Sequence, residues 1–421
     1  MNSPRFKERA KLCALFGLQS QAQGMWYVPF PTVLKAHGLE ALIPWALAIT
    51  AAAAWLSPMI SGTLADRHFA PVRVLRWLAT GVGVFTTAVF FGIEHHWATP
   101  AIVCLYIIQQ LFYVPTWGLS SSIVFAQLEH PERDFGPVRV WATLGWMLAG
   151  PIVSYVIRAD ASTISGFAAA AEWLAVGAFT WALPETPPRS ANGHRRWRDL
   201  LGFDAFCIFK EPNHRAILLG SALLSVPLAA LYQVTVLHLQ DLGETRGAAA
   251  MSLGQVTEMI SMYALAPLLA RAPVKGVFLA GAACGVIRYA LFALNSKSAL
   301  FTGIFLHGFC FAFFFVVAQI YFDKWTAPQF RVRAQALLTL LTSGVGSFVG
   351  ALACGWWRKT CTTSAGTQWS LHWAVLSGVM AIGFIYFAAA FRGGKRRLYE
   401  AGAVAGELPA AAQPLIANTP E

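Results

Sequence analysis

Long, nearly unbroken runs of apolar residues alternate along the chain with short polar segments. Leu105–Phe125 and Ala299–Tyr321 are two of these runs. A helix needs about 20 apolar residues to cross the core of a bilayer, whereas the strands of a membrane barrel alternate over about ten residues. The runs therefore predict about twelve membrane-spanning helices. We place them at about 12–34, 41–64, 73–93, 99–128, 138–157, 164–184, 214–240, 247–270, 274–295, 299–323, 332–357 and 368–391.

One long polar segment, Pro184–Arg215, separates six of these helices from the other six. Two six-helix bundles around a midplane site are the arrangement of major facilitator transporters. We therefore predict an all-α membrane protein with the major facilitator fold, with bundles at 1–185 and 214–392. The segment 186–213 would be a cytoplasmic linker, and the Ala- and Pro-rich tail 393–421 would be disordered.

Composition and charge placement support a membrane protein. Of the 421 residues, 57% are hydrophobic and 12% are charged, against about 25% charged in soluble domains. On the predicted topology, 23 of the 31 Lys and Arg residues lie on the face that holds both termini, and 6 lie opposite. This bias predicts cytoplasmic termini. Because the charges are spread over loops, the net charge of +11 does not indicate a nucleic-acid partner.

Motifs of enzymes and cofactor sites are missing from the sequence. The seven cysteines form no CxxC pair, and there is no P-loop, GxSxG or HExxH. We therefore expect no metal, no cofactor and no enzymatic activity. The expected partners are the lipid bilayer and a small solute, and the protein is expected to be a monomer of the inner membrane, by analogy with this fold.

A charged turn follows the second predicted helix. Gly62 is followed after three residues by Asp66 and Arg67, and Arg73 and Arg76 come soon after. This arrangement resembles the signature loop of major facilitator transporters, in which such an Asp-Arg pair latches one conformation. The alternative is an ordinary solvated turn.

Three residues on the predicted fifth helix share one face. Arg139, Thr143 and Trp146 follow one another at i, i+4 and i+7. A cation, a hydroxyl and an aromatic plane together suit a polar ring compound. Because Arg139 stands near the helix start, the alternative is an arginine that extends to the cytoplasmic interface.

The eighth predicted helix carries a carboxylate in an otherwise apolar stretch. Gln255 and Glu258 are one turn apart, so both side chains can contact one ligand. Ionisable residues inside membrane helices are costly and indicate function by default. Glu258 is therefore a candidate proton carrier, which we expect to pair with Arg139 when the site is empty.

Two further ionisable residues lie in the second half. Arg288 stands late in the ninth helix, where a structural ion pair or an interfacial anchor is as plausible as a transport role. His307 opens an aromatic stretch in the tenth helix, and Phe311 follows one turn later. For His307, a packing role and a role as proton relay both remain open.

The sequence resembles the nucleoside:proton symporter family of bacterial nucleoside permeases through most of its length. The Pro-x-Arg-x-Trp-x-Thr-x-Gly and Gln-x-x-Glu patterns are together fairly specific. The stretches that carry the resemblance are Tyr113–Leu119, Phe135–Gly145, Gln255–Glu258, Ile287–Ala293 and Arg331–Ala336.

The resemblance implies proton-coupled nucleoside uptake by alternating access. Trp146 replaces the usual Phe, Val236 and Ser121 stand where the family has Asn, and Ala312 stands where it has Asp. These losses leave the ribose contacts and the coupling open. The implied substrate contacts are Arg139, Thr143, Trp146, Gln233, Gln255, Glu258, His307 and Phe311.

Two other functions remain alternatives. The fold could carry a sugar, a drug or a metabolite instead of a nucleoside, which the missing Asp at Ala312 motivates. A sensor that binds a ligand without transporting it is the second alternative, motivated by the altered polar set.

Overall fold

The computed structural model describes residues 4–67, 69–128, 130–185, 208–327 and 330–393. Nearly all of this part is helical. Its two-residue strands, β1 (Thr362–Thr363) and β2 (Gly366–Thr367), pair antiparallel in one hairpin. We call the described chain before residue 186 the first half and that after 207 the second half.

The first half consists of long helices joined by short loops. One π-helical segment, Ile152–Val156, continues the sixth helix. The helices are α1 Pro4–Tyr27, α2 Phe30–Ala36, α3 Ile43–Arg67, α4 Pro71–Glu94, α5 Thr99–Gln127, α6 Pro131–Pro151 and α7 Ile164–Phe179.

The second half is built in the same way. We call helices that follow one another along one axis a rod, and two rods of this half contain a π-helical segment. The π segments are Phe311–Val316, between α12 and α13, and Leu340–Gly346, between α14 and α15. The helices are α8 Pro212–Asp241, α9 Gly247–Arg271, α10 Val274–Ala293, α11 Lys297–Phe305, α12 His307–Cys310, α13 Val317–Trp325, α14 Arg331–Thr339, α15 Ser347–Cys361 and α16 Trp369–Ala390.

The prediction of an all-α membrane protein is confirmed. Joined across their short breaks, the described helices form twelve rods, and seven stretches are long and apolar enough to cross a membrane by length and composition. Large apolar side chains such as Tyr263 and Ile382 are exposed on the outer surface of the rods, where lipid would cover them.

Three predicted features fall partly or wholly outside the described residues. Of the linker 186–213, residues 186–207 lie outside, and of the tail 393–421, residues 394–421 do. The exact bounds of the two bundles therefore stay a prediction. The backbone of Asp66 and Arg67 ends α3, but their side chains are outside the described part, so the latch stays a prediction too.

The two halves meet along two seams, where α6 packs on α9 and α3 packs on α15. Gly150 of α6 makes the first seam tight. A Cβ at this position would lie 2.2 Å from the carbonyl oxygen of Ala248. Any larger residue would push the halves apart here.

Ion pairs join the halves on the face opposite the two ends of the described chain, residues 4 and 393, which we call the distal face. Lys35 Nζ lies 2.8 Å from Asp241 Oδ1, and Arg358 Nη1 lies 2.6 Å from Glu40 Oε1. The Lys35–Asp241 pair is partly exposed, and exposed pairs contribute roughly 0–1 kcal/mol each. The Arg358 side chain is only 10% exposed, so water screens the Arg358–Glu40 pair less. Both pairs assist closure of this face.

A helix cap supplied across the two halves also closes the distal face. Asp160 Oδ1 accepts a hydrogen bond of 2.8 Å from the N–H of Ala248 at the start of α9. The hydroxyl of Ser154 accepts one of 3.0 Å from the N–H of Ala249 and donates to Asp160 Oδ1 at 2.9 Å. The first turn of a helix leaves such N–H groups without internal partners. The first half thus completes a helix of the second.

Distal closure should depend on pH through Asp160. Burial raises the pKa of this loop carboxyl, and opening would hydrate it and restore its ordinary pKa. The closed form therefore binds the proton more tightly, and closure becomes more favourable as pH falls toward the raised pKa. Spin labels at Thr99 and Ser298, one in each half, should report shorter distances at pH 5 than at pH 7.5.

The matched variant Asp160→Asn should remove this pH dependence, because it keeps a hydrogen-bond acceptor without a titrating group. An increase of the label distance in acid would contradict the role given to Asp160.

Candidate functional site

A cavity of about 370 Å³ lies between the two halves. Its size is within the range of small-molecule sites, roughly 300–1,000 Å³. The seams described above close it toward the distal face. It is lined by seven of the eight residues predicted as substrate contacts: Arg139, Thr143, Trp146, Gln255, Glu258, His307 and Phe311.

Helix α6 supplies the cation of the first-half wall. Arg139 lines the cavity and is exposed, and its guanidinium lies 5.2 Å from the ring centre of Trp117 and 5.7 Å from that of Phe16. Aromatic faces attract cations at such distances. The rings stabilise the charge while leaving the donors of Arg139 open to a ligand.

Three aromatic rings cross the seam between the halves. Tyr27 of α1 lies 5.9 Å from the ring of Trp146 on α6 and 5.9 Å from that of Tyr232 on α8. Trp146 and Tyr232 are 6.3 Å apart and nearly perpendicular. Aromatic pairs favour these separations. Together the three rings form a continuous aromatic wall that a planar ligand can stack on.

Helix α9 supplies the acid and the amide of the second-half wall. Gln255 Nε2 donates to the hydroxyl of Tyr232 at 3.4 Å, which holds the amide against the aromatic wall. Glu258 is buried, with 9% of its surface exposed. Within the described chain it makes no hydrogen bond or ion pair, so the expected pairing with Arg139 is not formed in this conformation.

The tenth rod, which runs from α11 to α13, brings His307 and Phe311 to the same wall. Their rings are 6.1 Å apart, and the ring of Tyr232 lies 6.0 Å from that of His307. The rod comes very close to α9, because a Cβ at Gly308 would lie 1.9 Å from the backbone nitrogen of Glu258. His307 and Glu258 are thereby held by two helices in direct backbone contact.

Gln233 is the predicted contact that the structure places elsewhere. Its side chain is fully buried at the seam of α8 with α15, and its Nε2 donates to the carbonyl of Ala351 at 2.9 Å. Successive residues of a helix point about 100° apart. The face of α8 that meets the cavity therefore carries the preceding residue, Tyr232.

Sequence reasoning missed several residues that line the cavity. Tyr113 and Trp117 belong to a stretch that carried the family resemblance, and Trp117 Nε1 donates to the Tyr113 hydroxyl at 2.9 Å. Tyr27, the last residue of α1, lines the cavity too. The aromatic character of these residues was visible in the sequence, but which face of each helix meets the cavity was not.

Two walls from opposed six-helix groups around a cavity closed on one side define a secondary transporter of the major facilitator kind. The family described as nucleoside H+ symporter matches residues 6–396. The chain belongs to this family.

Individual relatives agree. The putative nucleoside transporter YegT of Escherichia coli (strain K12) is 32% identical over 404 residues, covering 90% of this chain and 94% of YegT. The nucleoside permease NupG of the same strain is 25% identical over 367 residues, covering 81% and 85%. The crystal structure of nucleoside transporter NupG matches with a TM-score of 0.81 at 23% identity, covering 91% of this chain and 99% of NupG. The structural match shows the fold.

Replacement of Gly308 by Ala should separate the two helices that carry His307 and Glu258. Overpacking of this kind costs typically 1–3 kcal/mol, and here the opposing atom is backbone that cannot rotate away. We expect a lower unfolding temperature and loss of ligand binding, measured by thermal shift and by equilibrium binding. Gly378→Ala is the control, since no atom lies within 4 Å of a Cβ there. If both variants behave alike, the close approach is not important.

Proposed function

We propose that the chain imports a nucleoside together with a proton across the inner membrane. The observation that carries the proposal is the cavity itself, which sets the Arg139 guanidinium and an unpaired Glu258 carboxyl on opposite halves beside a wall of aromatic rings. A nucleobase can stack on the rings and a ribose can hydrogen-bond to the hydroxyl and amide groups. The names of the relatives support this cargo.

The orientation is part of the proposal. The excess of Lys and Arg on the face of the termini supports a cytoplasmic position for that face. The distal face is then external, and its closure by the Lys35–Asp241 and Arg358–Glu40 pairs makes this an inward-facing conformation. The protein acts as a monomer surrounded by lipid.

The chemistry of coupling follows from the position of Glu258. A carboxylate enclosed by the bundle is disfavoured when charged and unpaired, so a proton or the Arg139 cation must neutralise it. A proton taken up from outside would neutralise Glu258 as the halves close around the substrate. Its release to the cytoplasm would return the carboxylate, which can attract Arg139 as the halves reclose. The Asp66–Arg67 turn would latch one of these states.

The decisive experiment compares wild type with Glu258→Gln in proteoliposomes that hold an alkaline lumen in acidic buffer. Wild type should accumulate radiolabelled uridine or adenosine above equilibrium. Glu258→Gln should lose accumulation while still exchanging labelled for unlabelled nucleoside, because glutamine keeps the shape and cannot titrate.

Glu172→Gln is the matched control, because Glu172 lies in α7 away from the cavity. It should accumulate substrate like wild type. Full accumulation by Glu258→Gln would overturn the coupling role of this residue. No uptake by folded wild type would overturn the nucleoside assignment.

The aromatic wall should contribute much of the affinity. Stacking of a base on an aromatic side chain is worth about 1–3 kcal/mol, so Trp146→Ala should weaken nucleoside binding about 5- to 150-fold. Trp146→Phe should keep most of it. Trp141→Ala is the control on the same helix, since Trp141 is 48% exposed and does not line the cavity. Calorimetry or scintillation proximity measures all three, and equal effects of the two alanine variants would argue against stacking on Trp146.

A cargo other than the common nucleosides is the second candidate. It is favoured by Ala312, which is buried and gives the tenth rod no carboxylate at that position. Val236 is likewise buried and apolar. Competition of the labelled nucleoside by sugars, nucleobases and modified nucleosides separates the two candidates.

A further inference from the structure

Arg288 is a cation enclosed in the second half. None of its surface is exposed, and within the described chain no carboxylate forms an ion pair with it. Its guanidinium lies 4.6 Å from the ring centre of Tyr289, and its Nε and Nη2 have no hydrogen-bond partner among the described residues. Burial of a charge on these terms is costly. The hydrogen-bond contact that Arg288 makes to a ring nitrogen therefore bears on why this charge is buried.

That nitrogen is Nδ1 of His307, at 3.0 Å from Arg288 Nη1. A guanidinium nitrogen can only donate a hydrogen bond. Nδ1 must therefore accept, which requires that it carry no proton. A neutral imidazole has a single N–H, so the proton of His307 is on Nε2. A doubly protonated ring would set two donors against each other.

Nε2 of His307 is open to the cavity. His307 lines the cavity, whereas Arg288 lies behind it. Within the described chain no group hydrogen-bonds to Nε2, and this atom is not among the buried polar atoms that lack a partner. The ring is held in place by Tyr232 and Phe311 at 6.0 and 6.1 Å. The N–H thus points at the space that a ligand would fill.

We propose that Arg288 is a positioning residue that fixes His307 as a hydrogen-bond donor to the cargo. The matching group on the cargo is an acceptor, such as a carbonyl oxygen or an unprotonated ring nitrogen of a base. This assignment rests on the proposed function for the identity of the cargo. It removes His307 as a proton relay and leaves Glu258 as the proton carrier among the described residues of the cavity.

Two pairs of variants test the assignment through binding of the transported nucleoside. Glutamine can place an N–H near the position of Nε2, whereas asparagine reaches only the position of Nδ1. His307→Gln should therefore bind within about threefold of wild type, and His307→Asn should bind at least tenfold more weakly. Arg288→Lys keeps a donor toward Nδ1 and should bind better than Arg288→Met. Adding Arg288→Met to His307→Gln should cost little more, because glutamine has no tautomer to select.

The ring itself reports the tautomer without any transport. In ¹⁵N NMR of histidine-labelled protein, the His307 signals are those that His307→Gln removes. Wild type should show an unprotonated Nδ1 and a protonated Nε2, and Arg288→Met should show a mixture of tautomers. A protonated Nδ1 in wild type overturns the proposal whatever the Arg288 variants do, because the assignment needs only a folded His307→Gln.

The binding and NMR results separate the two proposals. If the NMR result is as expected but no nucleoside binds, the positioning role of Arg288 stands and the nucleoside assignment fails. If nucleosides are transported but His307→Asn binds as well as His307→Gln, the donor role fails and the proposed function stands.

Discussion

The cost of a charge inside a membrane bundle is the constraint on which the rest of this structure depends. The ionisable side chains near the cavity differ in how their surroundings lower this cost. Arg139 faces aromatic rings and the open part of the cavity, and Arg288 is enclosed against Tyr289 and His307. Glu258 lines the cavity but is largely buried, and within the described chain no side chain pairs with it. Glu258 is therefore the group of the cavity whose protonation changes at the lowest cost in free energy.

The structure divides contacts that must persist from contacts that must break. Within the second half, Gly308 allows the tenth rod to pack directly against the backbone at Glu258, and Gln255 hydrogen-bonds to Tyr232. These contacts hold the acid, the histidine and the aromatic wall as one body. Between the halves, helix packing at the two seams is joined by single hydrogen bonds, ion pairs and ring contacts, as at Asp160 and Tyr27. Alternating access needs this division, because the site must stay assembled while the seams open.

The sequence predicted what single helices determine. Twelve apolar runs give the fold because lipid permits few other structures, and Arg139, Thr143 and Trp146 share a face through the helical repeat alone. Gln233 lies on the face of α8 that packs against α15, because packing, not periodicity, decides which side of α8 meets the cavity. The same limit hid the ring contacts of Tyr27 and the contact of Arg288 with His307, since each joins side chains on different helices.

The π-helical segment Phe311–Val316 has a consequence for how insertions and deletions act on this chain. A π turn is equivalent to one residue added to an α-helix. Loss of one residue from this segment would restore regular α-helix and rotate the rod on one side by about 100° relative to the other. His307 would leave the cavity while the length and apolar character of the span hardly changed. A single-codon deletion here would thus yield a protein that inserts into the membrane normally but has lost its cargo.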